Sequence, residues 1–333
     1  MKLSQIKDKR SQRNLARRTR FFREGLEEVK KSTIFAYIFY TYENADGKKS
    51  NPVLSICKAL GVSERGYYKW KQNRNKPKRW QLLLAEIHKI IEEDYYNDNY
   101  GVVRMVSALK QRGNPKSYAT VRNVMKKGNL LHESRRSPDG LTKADKKAQR
   151  PENLVKRNFY ASEPDTLYFT DITEVPCADG KLYICPMFDA CGGEIVSLAM
   201  DSNMKKELCI RALTEAFEMR QPGAGVIVHS DAGSQFTSIA YKQTLGKFKA
   251  IQSMSDVGKC YDNVRMESFF ATLKKELLYR IDTTKMTREQ VKTLVWQYTM
   301  VYYNRKRIST VNEDGLPPTL YRLKVTKKKN GVA

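Results

Sequence analysis

The chain is 333 residues long and 41% hydrophobic, and it carries 61 Lys and Arg against 36 Asp and Glu, a formal charge of +25. That length admits two or three domains with a sizeable core, and that charge asks for a polyanionic partner, nucleic acid before an anionic membrane. No apolar stretch approaches the roughly 18 residues of a spanning helix and no leader pattern is legible, so the cytoplasm is the expected compartment. Six cysteines without a CxxC pair, beside three histidines, exclude zinc spacing and point to reduced thiols.

Residues 1–46 read as a basic N-terminal extension. Its first 31 positions hold eleven Lys or Arg against four acids. A DNA arm, the remnant of an oligomerisation helix and a solvated basic tail all fit that composition. The aromatic run STIFAYIFYTY that follows is too short to cross a bilayer. Residues 47–76 read helix, tight turn at Gly61, helix, with Ser63 as N-cap. The second helix interleaves Arg65, Lys69 and Lys71 with Tyr67, Tyr68 and Trp70, which suits a helix laid against DNA. Residues 77–131 read as a second small helical, DNA-binding module. Trp80, Leu83, Leu84, Ile87, Ile90 and Ile91 form its apolar stripe, and Gly101, Gly113 and Gly128 punctuate two more helices. Residues 132–160 are a basic linker, either a flexible tether or a DNA contact through residues such as Arg135 and Arg136.

Residues 161–322 hold the regular α/β pattern. A strand is expected at 166–173, a hairpin over 182–189 and 194–201 around CGGE, and a helix over 204–219. A strand at 225–229, a helix at 236–247, a short strand at 250–254 and a helix over 261–279 follow. A last helix covers 287–304, PPTLY closes the fold, and 323–333 is a basic tail.

Three carboxylates stand in local signatures within this core. Asp171 ends the apolar run of TLYFTDIT, and Asp231 follows VIVHS. Both terminate β-branched or aromatic runs, where a charge is out of place unless it faces a site. Glu267 lies on the 261–279 helix, whose buried stripe is Met266, Phe270, Leu273 and Leu277. Another face of that helix reads Asn263, Glu267, Ala271, Lys274. Two strand-end aspartates and a helical glutamate are what a two-metal phosphoryl-transfer site needs, because hard divalent ions prefer carboxylate oxygens. His229 shares the strand face of Asp231 and either lines the site or is structural. Asp262 is an acid by type but occupies an N-cap position.

TDIT, HSDAGSQFTS and SMSDVGKCYDNVRMESFF with LKKE after it resemble the catalytic core of insertion-sequence DDE transposases. The match is to the OrfB-type protein of the IS-three family, within the retroviral-integrase superfamily, over residues 34 to 322. The chain departs from the family pattern at Ala232, at Asp256 and Val257, and at Ile308, which stands in a histidine slot. The resemblance implies a ribonuclease-H-like α/β core, a mixed five-stranded sheet with helices, preceded by all-α modules. It implies Asp171, Asp231 and Glu267 as catalytic acids holding two Mg²⁺ or Mn²⁺ ions, and Lys274 as a contact to the DNA end. Asn263, Arg65, Lys69, Lys71, Arg135 and Arg136 are further candidate DNA contacts. The implied activity is cleavage and strand transfer of double-stranded DNA, element ends and target, by a homo-oligomeric synapse at the bacterial nucleoid. The implied partner is an upstream-frame, OrfA-type protein or a fusion with it. A hydrolytic nuclease of the same fold and a non-catalytic or decayed DNA-binding remnant are the alternatives.

Overall fold

The structure, a computed structural model, describes residues 30–43, 53–132, 151–156, 158–255, 263–312 and 314–329. Two compact units divide the chain, residues 1–82 and 83–333.

In the first unit α1 (Lys31–Ile38) runs into a π-helical turn, Phe39–Glu43, and is followed by α2 (Val53–Ala59) and α3 (Glu64–Asn73). Gly61 turns the chain between α2 and α3 at φ 68°, and Ser63 caps α3 by accepting from the Gly66 N–H at 3.3 Å. Ile34, Phe35, Ile38 and Phe39 make one helical stripe that packs on Ile56, Cys57, Leu60 and Tyr67. The aromatic run therefore belongs to the helical module. α1 and the turn that follows it supply half of that buried core, from residues before position 46.

In the second unit α4 (Arg79–Glu92), which starts in the last residues of the first, precedes α5 (Val102–Gln111) and α6 (Tyr118–Lys127). Leu83, Ile87 and Ile90 are buried as the stripe predicts. From Leu83 onward these helices share one compact unit with the core.

The sheet contains β1 (Leu167–Thr170), β2 (Thr173–Cys177), β3 (Gly180–Asp189), β4 (Ile195–Asp201), β5 (Ile227–Ser230) and β6 (Ile251–Met254). β1 and β2 both pair antiparallel with β3, and their register runs on unbroken from Thr170↔Met187 to Thr173↔Ile184. The strand expected at 166–173 is thus one row of the sheet that opens at Asp171 and Ile172. β4 pairs antiparallel with β3 on its other side, and β5 and β6 continue in parallel beyond β1. Six strands make five rows.

Helices α7 (Lys206–Arg220), α8 (Ser234–Thr237) and α9 (Ile239–Lys247) follow β4 and β5. Leu208, Leu213 and Phe217 from α7 and Tyr241 and Leu245 from α9 cover one sheet face over Tyr168, Met187 and Val228. α10 (Val264–Glu276) packs against β1. Met266, Phe270, Leu273 and Leu277 are all buried, as the helical spacing requires, and Phe269 joins them. α11 (Arg288–Trp296) opens with a capping box on Thr287 and Gln290 and passes into a π-helical stretch, Gln297–Tyr303. α12 (Pro318–Lys329) starts at PPTLY and extends through most of the expected basic tail. Three antiparallel strands, helix, strand, helix, strand, helix is the ribonuclease-H-like order. Among the described residues no helix is long and apolar enough to cross a membrane.

Candidate active site

The strand register builds the site. β1 and β5 are parallel neighbours with Phe169 opposite His229. Side chains alternate across a strand, so two positions further on Asp171 and Asp231 leave the same sheet face side by side, one residue past each strand. Asp171 Oδ1 accepts from the Ile172 N–H at 2.7 Å, and Asp231 Oδ1 accepts from the Gly233 N–H at 3.0 Å. A Cβ at Gly233 would meet Asp231 Oδ1 at 3.1 Å, so glycine leaves this carboxylate room to turn.

Burial first, then the neighbouring Asp231 and Glu267, push the Asp171 carboxyl up to about 8, against the Ile172 N–H and Lys274, which pull it down. Burial also raises Asp231. Asp231, Glu267 and Lys274 therefore all act on Asp171 through space, with Glu267 exposed and Lys274 half-buried on α10. Among the described residues no three His, Cys, Asp or Glu side chains gather tightly enough to hold a metal ion. The acids share a field without forming a finished cage. Even so, the donor set fits a hard divalent cation. It is oxygen only, it pairs two adjacent carboxylates reluctant to ionise together, and each has one oxygen bound to a backbone N–H and the other without a described hydrogen bond.

The remaining candidates divide. Asn263 is buried, and its Nδ2 donates to the Thr170 carbonyl at 3.2 Å. Its position is that of a tether between the start of α10 and the residue before Asp171, and burial at that position corrects its reading as a DNA contact. His229 is fully buried, with Nδ1 2.9 Å from Ser253 Oγ, Nε2 3.2 Å from Ser255 Oγ, and its ring against Phe169. The structural alternative describes it better than site lining does. On α3, Arg65 and Lys69 are exposed on one face with Tyr68 and Gln72. Lys71 departs from that face, because its ammonium lies 5.8 Å from the centre of the Phe39 ring of the module's own core. Arg135, Arg136 and Asp262 lie outside the described residues.

Sequence reasoning missed Glu276. This carboxylate is buried at the end of α10 and is held well down, to about 2, by Arg307, Arg104 and Tyr298 against the cost of burial. The one available signal was an acid at a stripe position of an amphipathic helix, three residues past Leu273.

The integrase core domain family matches residues 161–260, and a second integrase core domain model matches residues 267–325. The transposase for insertion sequence element IS904 of Lactococcus lactis subsp. lactis is 32% identical over 68% of this chain and 88% of its own length. The insertion element IS600 31 kDa protein of Shigella sonnei is 30% identical over 76% of this chain and 92% of its own. Transposase InsF for insertion sequence IS3A of Escherichia coli is 29% identical over 77% and 88%. Among solved structures, the magnesium complex of the HTLV-2 integrase catalytic core is similar at a TM-score of 0.38 and 15% identity, covering 48% of this chain and 97% of that one.

Proposed function

Because the chain belongs to the IS-three (IS3) family of DDE insertion-sequence transposases, DNA strand-cleaving and strand-joining enzymes, we propose that it does both steps at one site built on Asp171, Asp231 and Glu267. The observation that supports this most is the pairing of β1 with β5, which sets two half-buried aspartates side by side within reach of the field of Glu267 and Lys274.

Asp171 and Asp231 would hold Mg²⁺ or Mn²⁺, with Glu267 brought in from α10. Bound there, the ions supply Lewis-acid stabilisation of the charge that builds on phosphate and on the attacking and leaving oxygens. In the first step water adds to phosphorus at the element's end, the P–O3′ bond breaks, and a 3′-hydroxyl is freed. In the second that 3′-hydroxyl attacks a phosphodiester of the target and displaces its 3′ oxygen. Both are in-line displacements at phosphorus, so one set of side chains serves both. Partial burial of the aspartates lowers the water around them and strengthens their charge interactions with a bound cation. Lys274 lies seven residues after Glu267, about 10.5 Å along the axis, and holds the DNA strand. The exposed Arg65–Lys69 face of α3 and Arg122, Lys126 and Lys127 of α6 bind duplex phosphates. Two ends are held in a homo-oligomeric synapse with an OrfA-type partner, in the bacterial cytoplasm at the nucleoid.

Replacing Asp171 or Asp231 by Asn abolishes cleavage and joining of element-end duplexes in Mg²⁺ while DNA affinity stays near wild type. Near-wild-type cleavage by either variant overturns the site.

A further inference from the structure

Helix α10 has two working faces. Glu267, Ala271 and Lys274 occupy one. Glu276 follows nine residues after Glu267, two and a half turns on, and so stands on the opposite side. It is only 3% exposed. Its Oε1 accepts from Arg104 Nη1 at 2.8 Å and from Arg307 Nη2 at 2.9 Å. Its Oε2 accepts from Arg307 Nε at 2.9 Å and from Tyr298 Oη at 2.8 Å, and its main-chain oxygen accepts from Asn99 Nδ2 at 3.4 Å. Arg104 lies on α5, Asn99 in the turn before it, Tyr298 in the π-helical stretch and Arg307 just beyond that stretch.

An apolar residue would fill this position at lower cost, because taking a carboxylate and the Arg307 guanidinium out of water is expensive. What charge adds is direction. Arg307 grips both oxygens with two N–H groups, a planar contact that fixes rotation as well as distance. Arg104 adds a third N–H from a different part of the chain. At its other end α10 is tied by Asn263 to the carbonyl of Thr170, beside Asp171. A helix pinned at both ends can neither turn nor slide.

We infer that Glu276 is a positioning residue: through Arg307 and Arg104 it sets the rotation of α10, so that Glu267 and Lys274 face Asp171, and it ties that rotation to the helices α4–α6. The inference rests on the site assignment above. DNA engaged by α6 is then felt at the acids through α5 and Arg104.

The test uses the full chain with Arg104→Met, Arg104→Lys and Glu276→Gln, and with Asp171→Asn as the arm for the site itself. Arg104→Met leaves the Arg307–Glu276 pair intact and is the variant expected to fold. Thermal melts, element-end binding, amide exchange across α10, Mn²⁺ binding by calorimetry and cleavage over a Mg²⁺ titration are measured together. The expected result for Arg104→Met is DNA affinity near wild type and faster exchange in α10 but not in α7. Metal affinity falls about tenfold, and cleavage falls tenfold to about a hundredfold. Arg104→Lys restores most of each, because charge at that point returns. Unchanged exchange and metal affinity in Arg104→Met and Glu276→Gln, or activity lost only in proportion to the unfolded fraction, overturns the positioning role. Cleavage retained by Asp171→Asn overturns the site assignment instead, whatever the other variants do.

Discussion

Two helical regions with the same sequence texture stand N-terminal to the catalytic core, and they are held together in different ways. The α1–α3 module keeps its own centre, in which Phe35 and Trp70 lie against Tyr67, Phe39 lies against Trp70, and Arg74 lies 3.3 Å from the centre of the Phe39 ring. The α4–α6 helices also bury Leu83, Ile87, Met105, Leu109 and Val121, yet their polar side chains reach into the C-terminal half of the chain. Arg104 joins Glu276, Asp98 takes both ends of the Arg280 fork, Lys306 reaches Asp94, and Tyr302 donates to Asn97. The Tyr100 hydroxyl accepts from the Ile308 N–H, and Gln111 donates to the carbonyls of Asp314 and Gly315. An apolar centre lets a small module stand by itself, whereas distributed polar contacts make a region depend on its neighbours. A buried ion pair punishes the loss of either half far more than its formation rewards.

The largest effect that would break this contrast is a truncation. Removing residues 1–160 deletes Asp94, Asn97, Asp98, Tyr100 and Arg104 together and leaves Arg280, Tyr302 and half of the Glu276 site without partners. The remaining core is expected to melt far below the full chain or to come out insoluble. Removing only residues 1–76 is expected to leave a cooperative melt close to that of the full chain. Equal melts for the two truncations would show that α4–α6 are as separable as α1–α3.

Glu276→Ala comes next, at about 3–5 kcal/mol of stability, because it strands the buried Arg307 and the half-buried Arg104; denaturant midpoints measure it. This effect has a pH signature. The carboxyl is held down to about 2, from an ordinary value of 4.5, so the folded state favours the ionised form. Its contribution is complete above pH 4.5 and is lost as pH falls from there towards 2. The stability gap between wild type and Glu276→Gln is expected to be flat from neutrality to about pH 5 and to close below it. A gap that persists to pH 2 would mean that shape, not charge, makes the contact.

Tyr67→Ala probes the other region. Emptying the centre of the aromatic cluster costs about 3–5 kcal/mol, enough to unfold a module of this size. Circular dichroism melts and limited proteolysis are expected to show α1–α3 lost while residues 83–333 keep their transition. Loss of both together would contradict the division into two units.

The smallest effect is at Lys274. Its alanine variant is expected to weaken correct placement of the element's end several-fold while metal affinity stays near wild type. Lys274→Arg retains part of the function, since charge survives in a planar fork. Lys292, paired on the surface with Glu289, is the control, with an expected change within about 0.5 kcal/mol. Equal end cleavage in all three variants would reduce Lys274 to a solvated surface lysine.

Local pattern alone specified a good part of this molecule. The alternation and composition around residues 167–201 announced the antiparallel strands, the 3.6-residue spacing from Met266 to Leu277 announced the buried side of α10, and charges after apolar runs singled out Asp171 and Asp231. These signals are legible because each arises from residues a few positions apart that share one face of one element. Tertiary structure decided the rest. It opened the first sheet row at Asp171, gave α1 to the first module, drew Asn263 and His229 inside, and turned Glu276 into the meeting point of three distant segments. None of these has a local signature. Arg104 and Glu276 are 172 positions apart, and nothing near either one names the other. A charge on an amphipathic helix becomes a buried anchor only when the fold delivers its counter-charges, and that depends on the packing of whole elements rather than on the spacing within any one of them.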